Sequence, residues 1–144
     1  MQNTRVKSSF NGLIYFSLIS SLFKGVQFFG TSTGNVILDI CLLEESGIEL
    51  FRESTQITLN GEKPIYFLES FFHEKLFTFV IAASDGFRVT IINIQKELSI
   101  RICGFHDSKR KISSMQIDKK TFELVLGHED GTFSHLKPYS FVDQ

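Results

Sequence analysis

The chain carries one pattern three times: an apolar run, a tight turn ending on glycine, and a second apolar run. The copies read Gly30-Thr31-Ser32-Thr33-Gly34-Asn35 before Val36 to Ile40, Ala82-Ala83-Ser84-Asp85-Gly86 before Val89 to Asn93, and Gly127-His128-Glu129-Asp130-Gly131 before Thr132 to Leu136. Each has a small residue (Gly30, Ala82, Gly127) four positions ahead of its turn glycine. A lone hairpin buries too little surface to be stable, so a chain that repeats one must stack the copies and cover each with its neighbours. The turn glycines lie 52 and 45 residues apart, which leaves room for about four strands in each repeat. The expectation is an all-β array.

Threonine or aspartate followed by glycine between two apolar runs is a strong hairpin signal, because glycine takes positive φ without steric cost. Around these turns the sequence divides into units at about 10–58, 59–104 and 105–140 within a single domain, 1–144. In the first unit, Leu13 to Leu18 reads as the inner strand after a polar lead-in or outer strand from Met1 to Gly12. Gly25 to Thr31 and Asn35 to Leu43 follow; Gly47 separates the latter from Ile48 to Phe51, and the polar segment Arg52 to Thr58 prolongs the gap or holds the outer strand. The second unit opens with the turn cluster Leu59 to Pro64 and continues as Ile65 to Glu69, Leu76 to Ala83, Val89 to Ile94 and Leu98 to Cys103. Val89, Ile91 and Ile92 are apolar on both sides of the strand, which predicts cover on both faces. Gly104 to Lys111 reads as a hydrophilic loop. Ile112, Met115 and Ile117, then Phe122 to Leu126, then Thr132 to Leu136 complete the third unit. No long helix is expected, only short helical turns at His73-Glu74-Lys75 and Asp118-Lys119-Lys120.

Composition agrees with an all-β reading: 16 Phe and 3 Tyr stand beside many Ile, Val and Thr, and only 2 Pro interrupt them. Fifteen basic and sixteen acidic residues nearly cancel, so net charge gives no field to gather nucleic acid or a membrane surface. Cys41 and Cys103 are isolated within apolar runs and read as small hydrophobes, which points to a cytoplasmic or otherwise intracellular, reducing setting. Arg5 and Lys7 ahead of Leu13 to Phe23 outline a secretory signal. Yet Ile14-Tyr15-Phe16 recurs as Ile65-Tyr66-Phe67, 20 and 21 residues before a turn glycine, which favours a strand. The stretch is also too short and polar to span a bilayer.

The pattern resembles that of the WD-repeat β-propellers. Leu59-Asn60-Gly61-Glu62 looks like the family's Leu-x-Gly-His lead-in, and Ala82 to Gly86 with Val89 to Asn93 looks like its Gly-Ser-x-Asp-Gly and Leu-Trp-Asp end. Glu62 stands in place of the histidine, and Ile92 and Asn93 in place of Trp and Asp. The third unit has Gly104-Phe105-His106 ahead of it and Asp130-Gly131 within it, with Leu136 for the Trp; Asp39 or Ile40 fills that place in the first unit. The resemblance runs from roughly residue 10 to 137. It implies a partial β-propeller of about three four-stranded blades, with His106 and Asp130 keeping one structural hydrogen-bonded pair. Propellers take about four to eight blades, so the chain is expected to be a fragment, or a subunit closed by further blades or a partner chain.

The function this implies is a non-catalytic scaffold that binds other proteins. The alternatives are an enzyme or ligand-binding propeller with a central-channel site, and a secreted β-repeat protein if residues 1–23 are a signal. The inner strands Ile14 to Leu18 and Ile65 to Glu69 are apolar apart from Ser17 and Glu69, which disfavours a polar channel site.

Chemical motifs are sparse. His73, His106, His128 and His135, with Cys103 or Asp107, supply metal-ligand types, but the paired short spacings of zinc sites are missing. His128 and His135 flank the last turn as candidate cross-strand neighbours. His106-Asp107-Ser108 contains triad residue types, yet three neighbours in one loop cannot align as a triad. Gly30 to Gly34 lacks the Gly-Lys-Ser or Gly-Lys-Thr of a phosphate loop, and Gly86-Phe87-Arg88 lacks the paired arginines of lipid-binding propellers. No catalytic, cofactor or metal residue is expected. Lys109, Arg110 and Lys111 near Glu129 form a mixed-charge surface suited to partner choice, with Phe105 as its apolar anchor. Gly34, Asp85, Gly86, Asp130 and Gly131 are the structural turn residues, and His106 supports the fold. Phe67, Phe71, Phe72, Phe77 and Phe79 read as core, with Phe71 or Phe72 as a further anchor if exposed.

Overall fold

The computed structural model describes residues 5–15, 23–43, 48–59, 63–73, 78–94, 99–118 and 120–142. The chain is all-β and forms three antiparallel sheets. The first holds β1 (Arg5–Tyr15), β2 (Phe23–Thr31), β3 (Val36–Leu43) and β4 (Glu49–Ile57) in that order. The second holds β5 (Phe67–His73), β6 (Thr78–Ser84), β7 (Arg88–Ile94) and β8 (Ile100–Asp107), again in chain order. The third holds β9 (Ile112–Ile117), β10 (Leu124–His128) and β11 (Phe133–Leu136), and a four-residue helix α1 (Tyr139–Val142) follows.

The second sheet is the middle layer, and its sequence shows why. Side chains alternate across a strand, so a sheet covered on both faces needs apolar residues at odd and even positions alike. One face sends Leu68, Phe79, Ile81, Ile92 and Ile94 into a cluster with Phe28, Val36, Leu38 and Ile57 of the first sheet. The other sends Phe71, Val80, Ala82, Val89 and Ile91 against Ile112, Met115, Leu124 and Leu126 of the third. Val89, Ile91 and Ile92 are all fully buried, as the run of apolar residues predicts. Each such side chain contributes about 1.5–3 kcal/mol by leaving water. β5 lies against β1 and β2 on one side and β9 on the other, which brings the first strands of the three sheets together.

Several boundaries differ from the sequence reading. Residues 104–107, expected in a loop, extend β8, because the ladder to β7 continues through Thr90↔Phe105 and Val89↔His106 to Arg88↔Asp107. The loop shrinks to Ser108–Lys111. Arg5–Tyr15 is one strand with two register shifts against β2, not a lead-in followed by a separate strand; the rest of the expected Leu13 to Leu18 strand lies outside the described residues. β5 begins at Phe67, two residues late, because the Ile65 and Tyr66 amides donate to the turn carbonyls of Thr31 and Ser84, at 3.0 and 2.9 Å.

The third sheet has three strands among the described residues where a four-stranded unit was expected. After β11 the chain passes Pro138, which has no amide to give a ladder, and turns back to β8. There Arg101 Nη2 donates to the Val142 carbonyl at 2.9 Å, and the Phe141 ring covers Gly104 so closely that a Cβ at Gly104 would lie 3.1 Å from it. At Asp118 a single turn forms, closed by Phe122 N–H donating to Asp118 O at 2.7 Å. Of the other expected helical turn, Glu74 and Lys75 lie outside the described residues, as do Asn60 to Glu62 of the lead-in.

Candidate functional site: the rim of hairpin turns

Each sheet joins its second and third strands through one of the repeated turns, and Gly34, Gly86 and Gly131 all have positive φ, at 83°, 100° and 85°. The first and third turns share one geometry. Thr31 N–H donates to Asn35 O and Gly34 N–H to Thr31 O; His128 N–H donates to Thr132 O and Gly131 N–H to His128 O. The middle turn is built differently. Ser84 Oγ accepts from Gly86 N–H, and Asp85 Oδ1 accepts from the amides of Phe87 and Arg88, at 2.9 Å each. The residue that opens each turn is polar and buried: Thr31, Ser84 and His128.

The linkers between sheets are stapled to these turns, which sets the three turns along one rim. Leu59 N–H donates to Asn35 Oδ1 and Ile65 N–H to Thr31 O at the first junction. At the second, Ser108 N–H donates to Phe87 O and Ile112 N–H to Gly86 O, at 2.7 Å each, while Glu129 N–H donates to Lys111 O at 3.2 Å. The basic linker is thus held between two turns.

Charges alternate at that junction. Lys111 Nζ lies 3.3 Å from Glu129 Oε1, and Arg110 Nη1 lies 3.5 Å from Asp130 Oδ2 and donates to Thr132 Oγ1 at 2.7 Å. Lys109 is exposed beside them. The Thr132 hydroxyl and amide both donate to Asp130 Oδ1. Those bonds, helped by Arg110, hold the Asp130 carboxyl below the usual aspartate range.

Phe105 sits in a second group, on β8. The Arg88 guanidinium lies 3.9 Å from the centre of its ring and donates to both Asp107 oxygens, at 2.7 and 3.3 Å. The Arg88 hydrogen bond holds the Asp107 carboxyl below its ordinary range and raises the arginine. Phe105 remains 52% exposed. Its partner Thr90 shares a strand face with Ile92 and Ile94, which pack toward the first sheet, so Phe105 does not adjoin the Lys111–Glu129 pair. Nearby, Lys63 Nζ lies 4.6 Å from the centre of the exposed Phe87 ring. Arg88, Asp107, Lys63 and Phe87 escape a sequence reading, because strand register and linker path bring them together.

Other expectations fail for identifiable reasons. The His106–Asp130 pair does not form: Asp130 is engaged by Thr132 and Arg110, and His106 lies in β8 opposite Val89. His128 and His135 are not cross-strand neighbours, since His128 pairs with Ile112 and His135 with Val125. His128 is buried with Nε2 2.7 Å from Ser134 Oγ, and His135 Nδ1 lies 3.7 Å from Glu123 Oε2. Phe71 is buried against Phe122 and Phe72 half-buried against Phe79, so neither is an exposed anchor. Among the described residues no three His, Cys, Asp or Glu side chains group to hold a metal, and no helix is long and apolar enough to cross a membrane. Comparison of the chain with protein-family models, with curated proteins and with solved structures gives no match.

Proposed function

We propose that this chain is part of a larger WD-repeat-like β-propeller and works as a non-catalytic platform for binding other proteins through its turn rim. The observation that carries the reading is the junction at Lys109 to Lys111, where a basic linker is bonded to a turn of the second sheet on one side and a turn of the third on the other. Interleaved exposed charges of both signs suit choice between partners more than retention of a polyanion. Supporting it is the ordered stacking of meander sheets by their first strands; the exposed Phe105 ring, held by Arg88 on a face apart from the Lys111–Glu129 pair, offers a separate contact.

The test replaces Lys109, Arg110 and Lys111 together by Ala and, separately, Phe105 by Ala, in the full-length gene product. Proteins that co-purify with the wild type are then compared with those retained by each variant. Loss of a partner while circular dichroism and unfolding midpoint stay unchanged supports the rim; retention of every partner by both variants moves the contact elsewhere.

A further inference from the structure

Ser108 opens the linker between the second and third sheets and is followed by Lys109, Arg110 and Lys111, the only run of three consecutive basic residues in the chain. The linker lies between the end of β8 and the start of β9, outside any ladder. An enzyme that modifies a side chain must first admit the backbone around it, and local opening costs least where no ladder has to be broken. Ser113 and Ser114, beyond the basic run, belong to β9, and Ile112 ahead of them is 1% exposed. Of the serines beside this run, Ser108 is therefore the one that opens most readily.

The Ser108 hydroxyl closes this linker on itself, with Oγ donating to Arg110 O at 2.6 Å, while the Ser108 amide ties it to the second sheet through Phe87 O. The linker's cations point the other way. Arg110 and Lys111 lie 3.5 and 3.3 Å from carboxylate oxygens of Asp130 and Glu129, in the turn of the third sheet. Lys109 is exposed and has no carboxylate partner among the described residues. Asp107, the acidic neighbour of Ser108, is occupied by Arg88. A second negative group placed on Ser108 would meet cations that are free or can change partner.

We propose that Ser108 is a phosphate acceptor for a serine/threonine kinase that reads the basic run, and that its phosphate draws Arg110 away from Asp130. Kinases choose substrates by charge pattern, and three cations directly after the acceptor suit an acidic substrate groove. Ser108 Oγ attacks the γ-phosphorus of magnesium-bound ATP. The bond from that phosphorus to the β,γ-bridging oxygen breaks, ADP leaves, and the hydroxyl proton passes to the kinase's catalytic carboxylate. The product has lost the proton that Ser108 gave to the Arg110 carbonyl, and it carries a charge of about −1.5 to −2 with three acceptor oxygens. A guanidinium binds such a group through two parallel hydrogen bonds. Asp130 competes poorly, since its Oδ1 is already taken by the Thr132 amide and hydroxyl. The backbone bond from Glu129 N–H to Lys111 O is untouched by the exchange, so the linker keeps its place while its charges change hands. The regulatory consequence rests on the rim reading above: a partner that meets Lys109, Arg110 and Lys111 is released when Ser108 is phosphorylated.

The intact protein is incubated with magnesium ATP and the catalytic domains of a panel of serine/threonine kinases that select basic residues, and the modified position is mapped by tandem mass spectrometry. Phosphate is expected on Ser108, and its incorporation there should fall at least tenfold when Lys109, Arg110 and Lys111 are replaced together by Ala. Absence of phosphate at Ser108 while the same kinases modify their reference peptides, or its appearance at Ser113 or Ser114 instead, overturns the proposal. The exchange of partners is read separately, on protein with phosphoserine installed at position 108 by genetic encoding. Its second ionisation, about 6 for an ordinary phosphoserine, is followed by phosphorus NMR. A value below the ordinary one is expected, with Arg110→Ala returning it at least halfway, and circular dichroism confirms that both proteins are folded. Identical titrations with and without Arg110 overturn the exchange. Both measurements use the protein alone, so their failure leaves the rim reading standing. Proteins that co-purify with the wild type should be lost from the phosphoserine protein, and their retention overturns the release.

Discussion

Ile65 occupies the space that a side chain at Gly30 would need: a Cβ there would lie 2.5 Å from Ile65 Cγ2 and 2.7 Å from its Cβ. The glycine is thus required by contact between sheets, and the tightly branched Ile65 is itself 4% exposed with no room to retreat. Gly30→Ala is expected to destabilise the chain by about 1–3 kcal/mol through overpacking. Urea unfolding checks this, and Gly30→Ala combined with Ile65→Ala should recover part of the loss of the glycine change, because the two residues touch.

Gly86 presents the opposite case. Nothing lies within 4 Å of a Cβ built there, but its φ is +100°, a region that side chains rarely adopt. Gly86→Val is expected to lower stability by about 1–3 kcal/mol through backbone strain alone. A thermal midpoint equal to that of the wild type would contradict the turn geometry.

Phe122 has φ of 58° and stacks on Phe71 of β5 with ring centres 4.6 Å apart. A bulky residue at positive φ is uncommon, and here the stacking between the second and third sheets holds it. A double-mutant cycle with Phe71→Leu and Phe122→Leu is expected to give a coupling of about 0.5–1.5 kcal/mol. A coupling of zero would mean the rings contribute separately.

Acid should loosen the rim in a definite direction. Asp107 and Asp130 both have folded pKa values below the ordinary one, so their stabilisation is present above the unfolded aspartate pKa, about 3.9. It is lost as pH falls through the lower folded values. Arg88 is raised, so its contribution is lost only at strongly alkaline pH. Both carboxylates are exposed, and the effect is modest and screened by salt. Urea midpoints measured from pH 6 to pH 2 should fall less steeply in Asp107→Asn with Asp130→Asn than in the wild type. Parallel curves would show that other carboxylates govern the acid limb.

The amino-acid sequence by itself determined the local features: three hairpin turns at Gly34, Gly86 and Gly131, most of the strands beside them, and a middle sheet covered on both faces. Turn chemistry and side-chain alternation act over a few residues, so they can be read without knowing what lies opposite. It also put the basic linker near the Glu129 and Asp130 turn, because linker and turn follow from the strand count. Tertiary structure decided the rest. The ladder to β7 turned Phe105 from a loop residue into a strand residue beneath Arg88, and Thr132 with Arg110 took the carboxylate expected for His106. Ile65 came to lie over Gly30, and the chain after β11 left its sheet to cover Gly104. Each of these joins positions distant in sequence through register or packing between sheets, where a shift of one residue exchanges which side chains meet.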